Sequence, residues 1–297
     1  MPRDPGQAPF RASRCRIAFR SDRIPGSDPS PIPETLAVSS RKLLLPIAAV
    51  LLPAGIAPAP GRAQILRDLP PVTLEYVILD RASSEPIGTA QVEFEPVDTK
   101  RGPRLEVRAR TEYTVTHGRS TDPFAYDEEI TLICDEVGVT RFDATVHALG
   151  KEQLHTAVRI GEDYHVSTTF DGNRSSKTIT SGVQRTNLGV FCGGYLEVPL
   201  DEGPLLANWP LLFPAAADHE GRQKFRESVS PFNVDGREVH AITTRIRRPD
   251  ESSQRIWNTA NDLQILLRME DRVPQADLLY ILANVNGIPA TQSELLD

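Results

Sequence analysis

Leu105-Glu106-Val107-Arg108-Ala109-Arg110-Thr111-Glu112-Tyr113-Thr114-Val115-Thr116 is the stretch whose reading decides the fold. Its odd positions are largely apolar, and its even positions are all charged or hydroxylated. Successive side chains of an extended chain point to opposite faces, so this period of two describes an antiparallel strand buried on one face only. The same alternation extends outward in both directions. Ala90, Val92 and Phe94 alternate with Gln91, Glu93 and Glu95. Phe142, Ala144, Val146 and Ala148 alternate with Arg141, Asp143, Thr145 and His147. Tyr164, Val166, Thr168 and Phe170 line one face of a further strand, and Leu263, Ile265, Leu267 and Met269 line another.

Turn chemistry separates these runs at Arg101-Gly102-Pro103, Glu136-Val137-Gly138, Asp171-Gly172, Asp235-Gly236 and Asn286-Gly287. No helical period intervenes. The chain is therefore expected to be mainly all-β, an antiparallel meander with little helix. A sheet this long curls into a barrel, a half-barrel or a sandwich. One stretch breaks the pattern: Leu205, Leu206, Trp209, Leu211, Leu212 and Phe213 are interrupted by Pro204, Pro210 and Pro214. Proline lacks a backbone donor and breaks helices and central strands. Residues 203–217 thus read as an apolar loop with at most one helical turn, either a plug over the barrel end or an exposed contact surface.

The amino-terminal part has a different character. Residues 1–40 are rich in Pro and Arg and poor in apolar clusters, the composition of a disordered segment. Arg41-Lys42 then opens an apolar run through Leu45, Ile47 and Leu52 to Ala59, followed by Gly61-Arg62-Ala63. This is the n-region, h-region and small-residue cleavage pattern of a signal peptide over residues 41–63, too short for a membrane span. It predicts a mature, single β-rich domain over residues 64–297, periplasmic or secreted. Its distance from residue 1 suggests a translation start at Val38 or Leu36.

The whole chain carries 33 Lys or Arg against 40 Asp or Glu. Loss of residues 1–63 removes nine basic and four acidic residues, leaving 24 and 36 and a net charge of −12. Such a field repels polyanions, so nucleic acid is excluded as a partner. Cys134 and Cys192 remain in the mature part. An oxidising compartment would permit a bridge between them; two buried free thiols are the equal alternative.

Motifs for chemistry are sparse. There is no Gly-rich phosphate loop, and no His or Cys pair at zinc-ligand spacing, so no cofactor or metal is expected. His147 and His165 fall on polar strand faces and read as solvated. Asp127-Glu128-Glu129 and Asp135-Glu136 lack the order of a calcium loop and read as a solvated strand edge. Cys192, beside Gly193-Gly194, is the sole nucleophile candidate for a hydrolase, with no His tied to it in sequence. Tyr76, Tyr113, Trp209, Phe213 and Trp257 are the ligand-binding candidates, joined by Tyr280 as aromatics that line an interior or its mouth.

Leu74-Glu75-Tyr76-Val77-Ile78, Pro86-Ile87-Gly88, Arg255-Ile256-Trp257-Asn258 and the two apolar runs at 263–268 and 278–282 carry a resemblance across residues 72–287. They look like exported bacterial families of domains of unknown function, whose curved antiparallel sheets are similar to periplasmic lipoprotein-carrier half-barrels. The sequence departs from that pattern after the Trp strand, where Thr259-Ala260-Asn261-Asp262 replaces an Asp-Gly turn. The resemblance supports the fold and brings no catalytic residues; a curved sheet with an apolar inner face, a proline-interrupted apolar loop and no catalytic set point to a binding or carrier module for an apolar or amphipathic ligand. The alternatives are a packed interaction protein docking an envelope partner through residues 203–217, and third a hydrolase using Cys192.

Overall fold

A computed structural model describes residues 69–116, 123–179, 186–196, 208–247, 253–273 and 276–297. The expectations for residues 1–68, including the signal segment, lie outside them. So do residues 203–207 of the proline-interrupted stretch. The described residues belong to one compact unit.

The alternating runs form β1 (Val72–Asp80), β2 (Pro86–Thr99), β3 (Gly102–Val115), β4 (Phe124–Cys134), β5 (Val139–Ala148), β6 (Lys151–Ile160), β7 (Asp163–Phe170) and β8 (Asn173–Ile179). A second series follows: β9 (Asn208–Phe213), β10 (Asp218–Val234), β11 (Arg237–Arg247), β12 (Ser253–Thr259), β13 (Leu266–Val273), β14 (Ala276–Val285) and the two-residue β15 (Ile288–Pro289). Each series is a meander, and the first strand of one joins the last long strand of the other. The order is therefore β8 through β1, then β14 down to β9, with β15 added beside β14. The result is one large curved antiparallel sheet, all-β as the alternation requires. Among the described residues β8 and β9 are its edges, and they do not pair with each other.

The turns follow their chemistry. Asp171-Gly172, Asp235-Gly236 and Asn286-Gly287 all take positive φ at both residues, the conformation that two-residue hairpins need. Leu149-Gly150 does the same between β5 and β6. Leu149 is 76% exposed there, and a leucine gave no sign of a turn in the sequence.

The inner face of the sheet is the core. Leu74, Tyr76, Ile78, Phe94, Leu105, Leu132, Phe142 and Tyr164 are essentially inaccessible. The segment before β9 runs across this face. Thr186 caps a 3-10 turn over Asn187–Val190, and a single helical turn follows at Gly193–Leu196. Leu266 donates its N–H to the Phe191 carbonyl at 2.9 Å, and Gly194 donates to Leu263 at 2.9 Å. The Asn258 amide donates to both the Val190 and Gln264 carbonyls at 2.9 Å. This segment thus fills part of the interior and is fastened to the 258–266 region.

Two expectations need correction. Residues 208–213 are not loop but β9, an edge strand paired with β10, followed by a 3-10 turn over Pro214–Ala216. Pro210 is tolerated because an edge strand has one side without ladder partners. Leu263 and Ile265 precede β13 rather than belonging to it. Gln264 has φ 50°, and the register shifts between Trp257 and Asn258, so Leu266 and Leu267 are both buried. Of the two equal alternatives for Cys134 and Cys192, the structure has the buried thiols, not joined to each other; Cys134 closes β4, while the Cys192 thiol donates to the Leu263 carbonyl at 3.1 Å.

Candidate functional site

An inward-facing row crosses the sheet at its Tyr113 end. Tyr280 of β14 lies opposite Ile78, Ile78 opposite Gly88, Gly88 opposite Tyr113, and Tyr113 opposite Tyr126. A Cβ at Gly88 would fall 2.0 Å from the Glu112 carbonyl oxygen and 2.6 Å from the Tyr113 Cα. Only glycine allows β2 and β3 to approach this closely, and it leaves the row without a side chain between Ile78 and Tyr113.

The Tyr113 and Tyr126 rings stack with centroids 5.0 Å apart, and Phe124 lies 6.2 Å from Tyr113. Tyr126 donates its hydroxyl to Glu128 at 2.6 Å. Glu128 continues the alternation Phe124, Tyr126, Glu128, Ile130, Leu132, so its carboxylate is on the core side of β4. The acidic run is therefore not a solvated edge: β4 lies between β3 and β5, and Glu128 is the member that turns inward. From the other meander, Asp271 of β13 accepts a 2.8 Å bond from Gln254 of β12.

These groups sense one another. Burial raises the Tyr113 hydroxyl to about 12, with help from the Glu128 and Asp271 charges. Burial holds the Tyr280 hydroxyl well above its usual value, again with Asp271, Tyr113 and Glu128 contributing. Burial also raises the Glu128 carboxyl, reinforced by Asp127 and opposed by the Tyr126 hydrogen bond. Tyr113 and Tyr280 are 8% and 7% exposed. Neither hydroxyl oxygen is sealed from solvent without a partner. Glu128 and Tyr126 are only half-buried although they face inward, so solvent reaches this recess.

A raised carboxyl pKa has a definite consequence for stability. The folded carboxyl holds its proton more tightly than the unfolded one, so its charge costs stability at neutral pH. That cost is relieved as pH falls through the raised pKa toward the ordinary carboxylate range. Glu128→Gln should thus melt at a higher temperature than the parent at pH 7, and the gap should shrink on acidification toward pH 4. Thermal melts by circular dichroism at both pH values measure this.

The five aromatics singled out in the sequence do not converge. Tyr113 is in the recess. Tyr76 is 1% exposed, donates to the Leu266 carbonyl at 3.0 Å and packs on Phe191 at 5.3 Å, a core role. Trp257 is on the outer face, with the Arg255 and Arg268 guanidinium groups 5.0 and 5.2 Å from its ring. Phe213 is half-buried in β9, and the side chain of Trp209 lies outside the described residues. Cys192 is held as a neutral donor, since burial raises its thiol. His147 and His165 are exposed, as their strand faces require. Among the described residues no cluster of three His, Cys, Asp or Glu could hold a metal ion. The sequence reading missed Tyr126, Glu128 and Asp271. The signal for Glu128 was present: a carboxylate at the inward phase of an apolar alternation.

A cleft of about 460 Å3 opens at the same end of the sheet, and Tyr113 and Tyr126 are among its lining residues. No family model and no curated protein matches the sequence. A solved structure does: that of a β-barrel-like protein of the domain of unknown function DUF1849 from Brucella abortus. The match has a TM-score of 0.53 at 14% identity and covers 73% of this chain and 98% of that one. At this identity the likeness concerns the fold, and the chain shares with that protein a β-barrel-like, all-β architecture.

Proposed function

We propose that this protein is a non-enzymatic binding module of the cell envelope, periplasmic or secreted, that holds an amphipathic ligand in the recess at the Tyr113 end of its curved sheet. The observation that carries the reading is the recess itself: the Tyr113, Tyr126 and Tyr280 rings share an inward row with the Glu128 carboxyl beside them, and a cleft of about 460 Å3 opens at the same end of the sheet. The apolar wall around these rings and the half-open access at Glu128 suit a molecule with both a polar and an apolar part. The resemblance to periplasmic carrier half-barrels and the signal-like residues 41–63 support the location.

The packed-scaffold alternative is less well supported. Leu212 and Pro214 of its proposed docking stretch are buried rather than presented. Native mass spectrometry of the protein purified from its own envelope fraction tests the proposal. The expected result is a retained mass that extracts into organic solvent, and a bare protein mass would overturn it.

A further inference from the structure

We propose that the turn over Pro214–Ala216 is a pH-released latch. It stays seated on the concave face of the first meander while the His155 imidazole is neutral, and it lets go when that ring takes up a proton. The device is separate from the Tyr113 recess and does not depend on what fills it. The turn joins β9 to β10, so it belongs to the second meander, yet it packs against β4 and β5 of the first. It thereby ties together two halves of the sheet whose outer edges, β8 and β9 among the described residues, do not pair. Its own conformation gives it little independence. Ala217 closes the turn at φ 47°, a left-handed backbone that alanine adopts only at a cost. Leu212, Pro214 and Ala217 are all buried. A turn held in this way is kept in place by its packing rather than by local preference.

His155 of β6 lies under the turn. It stands in an inward row with Ile130, Ala144 and Thr168 and is 5% exposed. The Ala215 backbone is close enough to the ring to favour its charged form. Nδ1 is 2.9 Å from the Thr168 hydroxyl. Nε2 is sealed from solvent and makes no hydrogen bond. The seat therefore suits a neutral imidazole; an imidazolium would need a well-placed second acceptor or water. The groups facing the ring supply no counter-charge. Lys177 of β8, opposite Val166 in the neighbouring inward row, opposes protonation. From β5 come only Phe142, Ala144 and Val146, and on β7 Tyr164 donates its hydroxyl to the Val139 carbonyl. Glu128 of β4 is one row along, opposite Val146, with β5 between its strand and β6. Asp218 and His219, which follow the turn, have side chains outside the described residues. Burial and then Lys177 outweigh the Ala215 backbone and lower the imidazole from its ordinary 6.5. The folded chain thus holds this proton less tightly than the unfolded chain. The stability of the seat is full above pH 6.5 and is lost as pH falls below it, through the lowered folded value.

Hydrogen exchange of the full-length protein at about pH 7.5 and about pH 5, either side of the unfolded imidazole value, tests the latch. Rates are corrected for the intrinsic pH dependence of amide exchange and read by mass spectrometry. The peptide over residues 212–217 is expected to lose protection at the lower pH while peptides from β2 and β3 keep theirs. Unchanged protection at 212–217, or an equal loss in β2 and β3, overturns a local release. His155→Gln, neutral at both pH values, should leave 212–217 equally protected at both. A loss in that variant as large as the parent's overturns the role of His155. If the variant is loosened at both values, the NMR titration of the His155 Cε1 proton in the parent decides. A midpoint below 6.5 is expected there, and one at or above 6.5 overturns the proposal.

Discussion

Gly194→Ala is expected to lower the unfolding free energy by about 3 kcal/mol or more, at the upper end of overpacking penalties. A methyl group at this position would lie 2.2 Å from the Asp262 carbonyl oxygen and 2.9 Å from the Leu263 Cα. Both obstacles are backbone, not the far end of a flexible side chain. The Leu263 carbonyl is held by the Gly194 N–H and the Cys192 thiol, and Asn261 is tied to the carboxy-terminal turn through the Leu295 and Asp297 carbonyls. The interior segment must therefore back away, which breaks its hydrogen bonds to 258–266 and uncovers Phe191. Urea titration of parent and variant gives the difference directly, and an unchanged midpoint would mean that the segment is not seated against residues 262–263.

The second large effect is expected at Tyr76. Tyr76→Ala should cost about 3–5 kcal/mol, the range for removing a large buried aromatic. The ring bridges β1 to the interior segment through Phe191, and Phe191 in turn lies 6.4 Å from Tyr280. Tyr76→Phe separates packing from hydrogen bonding. It keeps the ring and removes only the donor to the Leu266 carbonyl, a loss of about 1 kcal/mol. A Tyr76→Phe protein that is stable but no longer retains ligand would make Tyr76 a ligand contact, contrary to its place in the core.

The fold was legible because strand alternation depends on local sequence alone. One run at 105–116 gave the period, and the Asp-Gly and Asn-Gly pairs gave the turns. The places where the reading failed depend on partners distant in sequence. β9 could be a strand only because β10 offers it an edge, and proline content argued against that until its edge position was known. Thr259-Ala260-Asn261-Asp262 stands where the resemblance led one to expect an Asp-Gly turn. It is the receptor for two remote pieces of chain, the 190–194 segment and the carboxy-terminal residues. Half of the recess was visible in principle: Tyr113 and Tyr280 were noticed as aromatics, and Glu128 sat in phase with the apolar positions. What no local pattern could supply is that β13 brings Asp271 to them from the opposite end of the chain.

The pairing of β1 with β14 also dictates the order in which the molecule can be made. Thr73 and Asn286 are hydrogen-bonded across 213 residues of sequence, so one edge of β1 has no partner until nearly the whole chain is present. Contacts of such separation are slow to form, and an open strand edge in a partly folded chain is prone to pair with the wrong neighbour. The first meander can assemble hairpin by hairpin as it emerges, but it must wait with β1 uncovered while the second is completed. A chain that paused with β1 uncovered would offer an edge on which a wrong neighbour could pair.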